Sequence, residues 1–330
     1  MLYLPDNIFE GWLAQMEPEI RLAGMYLSIY SIAVTKPITG GVLKSLKLNL
    51  THLHTDTDAN FRRELIGYIQ KLFDRLRGST ATLVRTKDTV PTTHTRLPFP
   101  QSLARNRNTA RKSAVHNPLM EALEFIVWYI RFLEGELRSD ASYQRRMSAL
   151  RALMVVLKSG LDPRVPHHHL SKKAQGQLQW MHQLQITNTR LGKFLIELIL
   201  DPYDDIRDAS VSALQLCLES MTDEERGQTI RHISHFITRA ETAMLRTGRA
   251  DHADGLARAY ALYFSTCAVE SVENHGLHLS EETTRIGILD CLRQQLQSTL
   301  DVARHNLSDA VEGRPVHGTY AAIRFASSPS

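Results

Sequence analysis

The chain has 330 residues, 43% hydrophobic and 22% charged, with a formal net charge of +4. That is enough to bury a sizeable core, and 17 glycines and 12 prolines are few for an all-β fold of this length. Cys217, Cys267 and Cys291 are odd in number and lack CxxC spacing, which excludes a disulfide framework and a zinc finger and leaves them as expected core thiols. The longest apolar run, Phe125 to Ile130, is far short of the roughly 20 residues of a membrane span. Met1 to Asn7 shows no basic region leading into an apolar stretch, so no secretory leader is expected and the cytoplasm is the default compartment.

In chain order, Leu2, Tyr3, Leu4, Ile8, Phe9, Trp12 and Leu13 make an apolar start, expected to stack on another repeat. A short string then recurs. It reads Glu19-Ile20-Arg21-Leu22-Ala23, Asp58-Ala59-Asn60-Phe61-Arg62 and Asp205-Ile206-Arg207-Asp208-Ala209. The first two arginines are 41 residues apart, inside the roughly 40 to 47 residue period of HEAT or armadillo repeats. The acid is expected at a helix start, where the macrodipole favours negative charge, and the arginine is expected to reach a neighbouring repeat's carboxylate or carbonyls.

Leu65, Ile69, Leu72 and Leu76 mark one face of a helix that Gly78 is expected to end. From Ala81 to Pro118 four prolines and many polar residues replace any helical stripe, predicting a disordered loop. It carries Arg85, Lys87, Arg96, Arg105, Arg107, Arg111 and Lys112 against Asp88, a local net of +6, so the rest of the chain sums to −2. Mobile cations neutralise phosphates without a rigid site, which makes these residues candidate nucleic-acid contacts. Phe99 alone offers base stacking there, and polar linkers are often basic with no dedicated ligand.

Trp128, Tyr129, Phe132 and Tyr143 are expected to pack between adjacent helices. His167, His168 and His169 diverge from one another and follow Pro163 and Pro166, so a turn is expected there and not a metal site. Lys172 and Lys173 extend the positive candidates. Leu191, Phe194, Leu195, Leu198 and Ile199 predict a helix broken by Asp201-Pro202, which should also cap and start the next. The stripe continues through Ile206, Ala209, Ala213, Leu214 and Cys217, and Thr222 with Glu225 forms a capping box. Ser280 opens a last stripe of Ile286, Leu289, Leu292, Leu296, Leu300 and Ala303. No Walker loop, dinucleotide fingerprint, nucleophile elbow or HExxH string occurs, so neither a catalytic residue nor a cofactor or metal site is assigned.

Several strings together resemble the THADA family: Thr55-Asp56-Thr57-Asp58-Ala59-Asn60-Phe61-Arg62, Phe73-Asp74-Arg75-Leu76-Arg77, Trp128-Tyr129-Ile130-Arg131-Phe132-Leu133, Ser142-Tyr143-Gln144-Arg145, Asp201-Pro202-Tyr203-Asp204-Asp205-Ile206-Arg207 and Pro315-Val316-His317-Gly318-Thr319-Tyr320-Ala321-Ala322-Ile323-Arg324. The resemblance implies a large helical-repeat scaffold. It also implies a non-catalytic partner of an FtsJ-type methyltransferase, which methylates a ribose 2′-oxygen of the tRNA anticodon loop. The methyl donor would belong to that partner. An Arg-Arg-Ser-Ala-Gly string expected to follow is replaced by Ala326-Ser327-Ser328-Pro329-Ser330, so 313–330 is expected to be a truncated tail of an internal fragment. None of the family's tRNA-contacting residues transfers to a matching motif.

The fold expected is all-α, a right-handed α-solenoid of HEAT/armadillo-like repeats with a disordered basic loop: helices over 1–80, the loop over 81–118, further repeats over 119–312, then the tail. The function expected is a scaffold for tRNA methylation, with a methyltransferase and tRNA as partners and no membrane or small-molecule substrate. A general protein-interaction solenoid is the alternative, and an enzyme would need a pocket of convergent polar groups.

Overall fold

The computed structural model describes residues 8–86, 117–162, 186–247 and 250–274. The expected last helix, the tail, His167 to His169 and most of the basic segment lie outside them. Every regular element described is helical: α1 (Glu10–Leu13), α2 (Pro18–Ile29), α3 (Gly40–His54), α4 (Ala59–Thr86), α5 (Pro118–Glu136), α6 (Tyr143–Leu157), α7 (Thr189–Glu197) running into a 3-10 turn (Leu198–Leu200), α8 (Asp204–Ser220), α9 (Asp223–Thr247) and α10 (Ala250–Asn274). Contacts divide the chain into two compact units, Met1–Glu136 with Gln144–Ile186, and Leu137–Tyr143 with Thr187–Ser330.

In the first unit α1 packs on α2 and α3, α2 on α4, and α3 on α4 and α5. Helices therefore meet the one two places further along, the wiring of an α-solenoid, in which one apolar stripe is shared between layers. The α4 stripe is the one read from the sequence, and α3 carries a matching one. Leu43, Leu46, Leu50 and Leu53 of α3 and Leu65, Ile69, Leu72 and Leu76 of α4 are all buried. Local signals set the starts. Pro18 occupies the first turn of α2, the Thr39 hydroxyl accepts from Val42 N–H at 3.4 Å, and the Asp58 carboxylate accepts from Asn60 N–H at 2.8 Å.

Helix α4 does not stop at Gly78. It runs on to Thr86, so residues 81–86 of the expected loop are helical. The glycine serves close packing: a Cβ at Gly78 would stand 3.1 Å from Val34 Cγ1. Just beyond it, Ser79 and Thr80 are buried, with both hydroxyls bonded to the Leu76 carbonyl. At the other end Pro118 begins α5, whose contacts with α3 and α4 lie within the same unit. The segment 81–118 therefore does not separate the two units.

Tyr129 sits at the centre of an aromatic cluster, 5.5 Å from the Phe73 ring and 6.2 Å from Phe125, while Trp128 and Phe132 stack at 5.8 Å. This is the expected core packing except for Tyr143. That residue belongs to the second unit, where its ring lies 4.5 Å from Tyr203 and its hydroxyl donates to Asp205. The Tyr129 hydroxyl meets His54 Nε2 at 2.8 Å, and burial holds the His54 pKa down at about 4.

In the second unit α7 packs on α8 and α9, and α8, α9 and the 3-10 turn all pack on α10. Leu191, Leu195, Leu198 and Ile199 are buried as the stripe predicts, and so is Cys217; the other two cysteines lie outside the described side chains. The capping box forms: Glu225 Oε2 accepts from Thr222 N–H at 3.2 Å, and the Thr222 hydroxyl accepts from Glu225 N–H at 3.3 Å. Asp201-Pro202 ends the preceding helix but does not cap the next. Helix α8 starts at Asp204 with Tyr203 as its N-cap, and Asp201 Oδ1 instead closes a turn by accepting from Tyr203 N–H at 3.0 Å. Arg207 Nη1 donates to the Asp201 main-chain carbonyl at 2.7 Å and ties that turn to the first turns of α8.

Two outcomes test this packing. A Cβ at Gly255 of α10 would overlap the Ile199 carbonyl oxygen, so Gly255→Ala should cost about 1–3 kcal/mol or more in urea unfolding. Gly67→Ala, where nothing stands within 4 Å, should cost nothing. For His54 the folded value lies below the unfolded one, so the unfolded chain takes up the proton first as pH falls. The contribution is intact above the ordinary histidine value of 6.5 and is lost towards about 4, a loss of about 3 kcal/mol. Chemical denaturation at stepped pH should show that decline, and His54→Gln should flatten it.

Candidate partner and nucleic-acid interface

The recurring acid and arginine strings are ties between helices. Arg21 of α2 reaches Asp56 at 2.5 Å and lies 4.5 Å over the Phe61 ring. Arg62 donates to the Asp56 carbonyl at 2.6 Å. Arg75 donates to the carbonyls of Ile29 at 2.7 Å, Lys36 at 3.1 Å and Pro37 at 3.3 Å, closing the end of α2 and the connection after it. Arg145 grips Glu136 through two bonds of 2.6 Å.

The densest tie is in the second unit. Asp254 Oδ2 accepts from Arg207 Nε at 2.9 Å and from Arg258 Nε at 2.8 Å, and Asp204 Oδ1 accepts from Arg258 Nη2 at 2.6 Å, with Asp208 completing the set. Both guanidinium groups are nearly buried while Asp204 and Asp208 are exposed. Burial pushes the Asp254 carboxyl up against the opposing pull of Arg207, and burial draws Arg258 down against the support of Asp204. Paired, saturated groups of this kind hold helices; none is poised to transfer a proton or attack a substrate.

Of the residues singled out as nucleic-acid contacts, Arg85 lies in the last turn of α4, and its side chain is not among those described. Lys87, Arg96, Arg105, Arg107, Arg111, Lys112, Lys172 and Lys173 lie outside the described residues. Among the described residues no group of three or more His, Cys, Asp and Glu side chains is placed to hold a metal ion, and no helix is long and apolar enough to cross a membrane.

The structure assembles a basic surface that no single stretch of sequence displays. Arg190, Lys193 and Glu197 are exposed along α7 at spacings of 3 and 4, and Arg231, His235 and Arg239 along α9 at spacings of 4. The two helices lie side by side in the same sense: Gly192 faces Thr229, and Glu197 pairs with Arg239 at 2.6 Å. His232 is half-buried within this surface, and its pKa is lowered by burial and then by Lys193, His235 and Arg231. Four permanent cations thus face one anion. Arg190 lies 5.9 Å over the Phe194 ring and Arg239 5.6 Å over Phe236. The available sequence signal was the i, i+4, i+8 stripe of Arg231, His235 and Arg239, obscured by the acids that open α9.

Removing the shared anion tests the tie. Asp254→Ala leaves two nearly buried guanidinium groups short of an acceptor and should cost roughly 1–3 kcal/mol in urea unfolding, less than a fully buried pair because Asp254 is partly exposed. Asp223→Ala, at an almost fully exposed carboxylate 3.9 Å from Arg226, should leave unfolding unchanged.

Comparison with known proteins agrees with this architecture. Over 302 residues the chain is 23% identical to the tRNA (32-2′-O)-methyltransferase regulator trm732 of Schizosaccharomyces pombe, an alignment that covers 91% of this chain and 18% of that protein. The chain therefore spans less than a fifth of its relative's length. Residues 3–208 match the family model described as Trm732, TPR repeats. TPR, HEAT and armadillo repeats are all stacks of helices, so the description agrees with the wiring of the first unit, which lies within the match but for its first two residues. With well over half of its residues in that match, and in accord with the THADA resemblance of its strings, the chain belongs to the Trm732 family.

Proposed function

We propose that this chain is a segment of a non-catalytic regulatory subunit that supports 2′-O-methylation of a ribose in the tRNA anticodon loop. A partner methyltransferase of the FtsJ type would hold the methyl donor and perform the transfer, in the cytoplasm. The observation that carries this reading is the family match, together with the architectural use of the matching strings. Arg21, Arg62, Arg75, Arg145 and Arg207 are spent on tying helices, which leaves recognition surfaces and not a reaction centre as the chain's contribution.

In this reading Arg85, Lys87, Arg96, Arg105, Arg107, Arg111 and Lys112, with Lys172 and Lys173, supply salt-dependent contacts to tRNA phosphates. Specificity for the anticodon loop would come from elsewhere in the complex. The full-length gene product should recover both a 2′-O-methyltransferase and tRNA on co-purification, and recovery of neither would overturn the proposal. Deleting residues 85–116 should weaken tRNA binding and flatten its salt dependence. An unchanged affinity and slope would make that segment a linker in a general protein-interaction solenoid.

A further inference from the structure

We propose that the face formed by α7 and α9 is an RNA-binding surface that holds the phosphate backbone between two rows of cations. Arg190 and Lys193 make one row and Arg231 and Arg239, with His235 between them, the other, separate from the basic segment 85–112. The choice of RNA among polyanions rests on the regulatory reading above; the surface itself rests on geometry.

Three observations carry it. Helix α9 places Arg231, His235 and Arg239 at every fourth residue, a rise of about 6 Å per step, beside the parallel row on α7. The positive groups lie close together: the His232 pKa is lowered by burial first and then by the field of Lys193, His235 and Arg231. Most arginines named above are consumed by carboxylates or carbonyls of the scaffold, whereas Lys193 and Arg231 carry no ion pair among the described residues. Lys193 and Arg231, which tie no helices together among the described residues, are available to a ligand.

The chemistry favours nucleic acid over an acidic protein. The core of a protein interface is depleted of lysine and built around buried aromatic anchors, while nucleic-acid interfaces are strongly positive and polar. Here Phe194 is half-buried beneath Arg190, Phe236 is buried, and the exposed tips are charged. Contacts of this kind are made to phosphate and carry no base sequence. The surface would therefore position a folded RNA and leave selection of the modified nucleotide to other parts of the assembly.

The test uses the whole 330-residue chain and unmodified tRNA, with affinity measured by fluorescence anisotropy across a salt series. The double variant Lys193→Gln, Arg231→Gln removes two exposed charges and should keep the wild-type circular dichroism and melting temperature. Its tRNA affinity should fall about tenfold, equally for tRNAs of different sequence, and the slope of log affinity against log salt should shrink by about 2. Arg63→Gln, at an exposed position on α4, should change neither. Wild-type affinity and slope in the double variant would overturn the proposal, as would absence of tRNA binding by the unaltered chain. Loss of methyltransferase capture with tRNA affinity intact would overturn it in favour of a protein-docking face. A chain that binds tRNA through Lys193 and Arg231 yet captures no methyltransferase would sustain it and overturn the regulatory reading alone.

Discussion

Each turn between stacked helices leaves backbone carbonyls without partners, and in this chain arginines close many of them. An α-helix ends with up to four unbonded carbonyls, and in a repeat stack these ends fall where the next layer packs, partly shut off from water. Arg75 takes carbonyls from the end of α2 and the connection after it, and Arg207 takes those of Asp201 and Pro202. Arginine suits the place because its planar fork presents several donors in fixed directions and its charge strengthens each bond. The apolar stripes decide that the helices stack. The arginines set how each turn sits on its neighbour.

This division of labour explains why strings typical of the family look like a site without being one. Thr55 to Arg62 combines a helix cap, a carboxylate for Arg21 and an aromatic ring beneath the same guanidinium, all serving one junction. Asp201 to Arg207 does the same for α8 and α10. Clusters of acids and arginines attract a catalytic interpretation, yet here their bonds run between helices and turns of the scaffold, and proton transfer needs a group with free capacity and access. Function in such a fold belongs to the faces that the ties leave uncovered.

The charge distribution shows the same logic at larger scale. A net charge of +4 is no measure of where positive potential lies, because arginines such as Arg21, Arg145, Arg207 and Arg258 are neutralised by carboxylates beside them. The +6 of the segment 81–118 was visible because its cations are close in sequence. The α7 and α9 rows were not visible, since their members are about 40 residues apart and the acids Asp223, Glu224 and Glu225 balance the local count on α9. Only the packing of Gly192 against Thr229 brings the two rows together.

Legibility therefore followed range. The stripes of α4 and α7, the acid Asp58 at the start of α4 and the Thr222 to Glu225 box depend on residues a few places apart, so helical geometry alone relates them and the sequence by itself determined an all-α repeat protein. What needed the tertiary structure were outcomes decided by distant partners. Val34 packs against Gly78 while α4 runs past it, Arg207 takes the main-chain carbonyls of Asp201 and Pro202 before α8, Tyr143 joins Tyr203 and not the aromatic core, and α7 meets α9 to form one basic face. In each case a local preference worth about 1 kcal/mol yielded to packing or charge-assisted bonds worth more, and no local window of sequence contains both sides of that comparison.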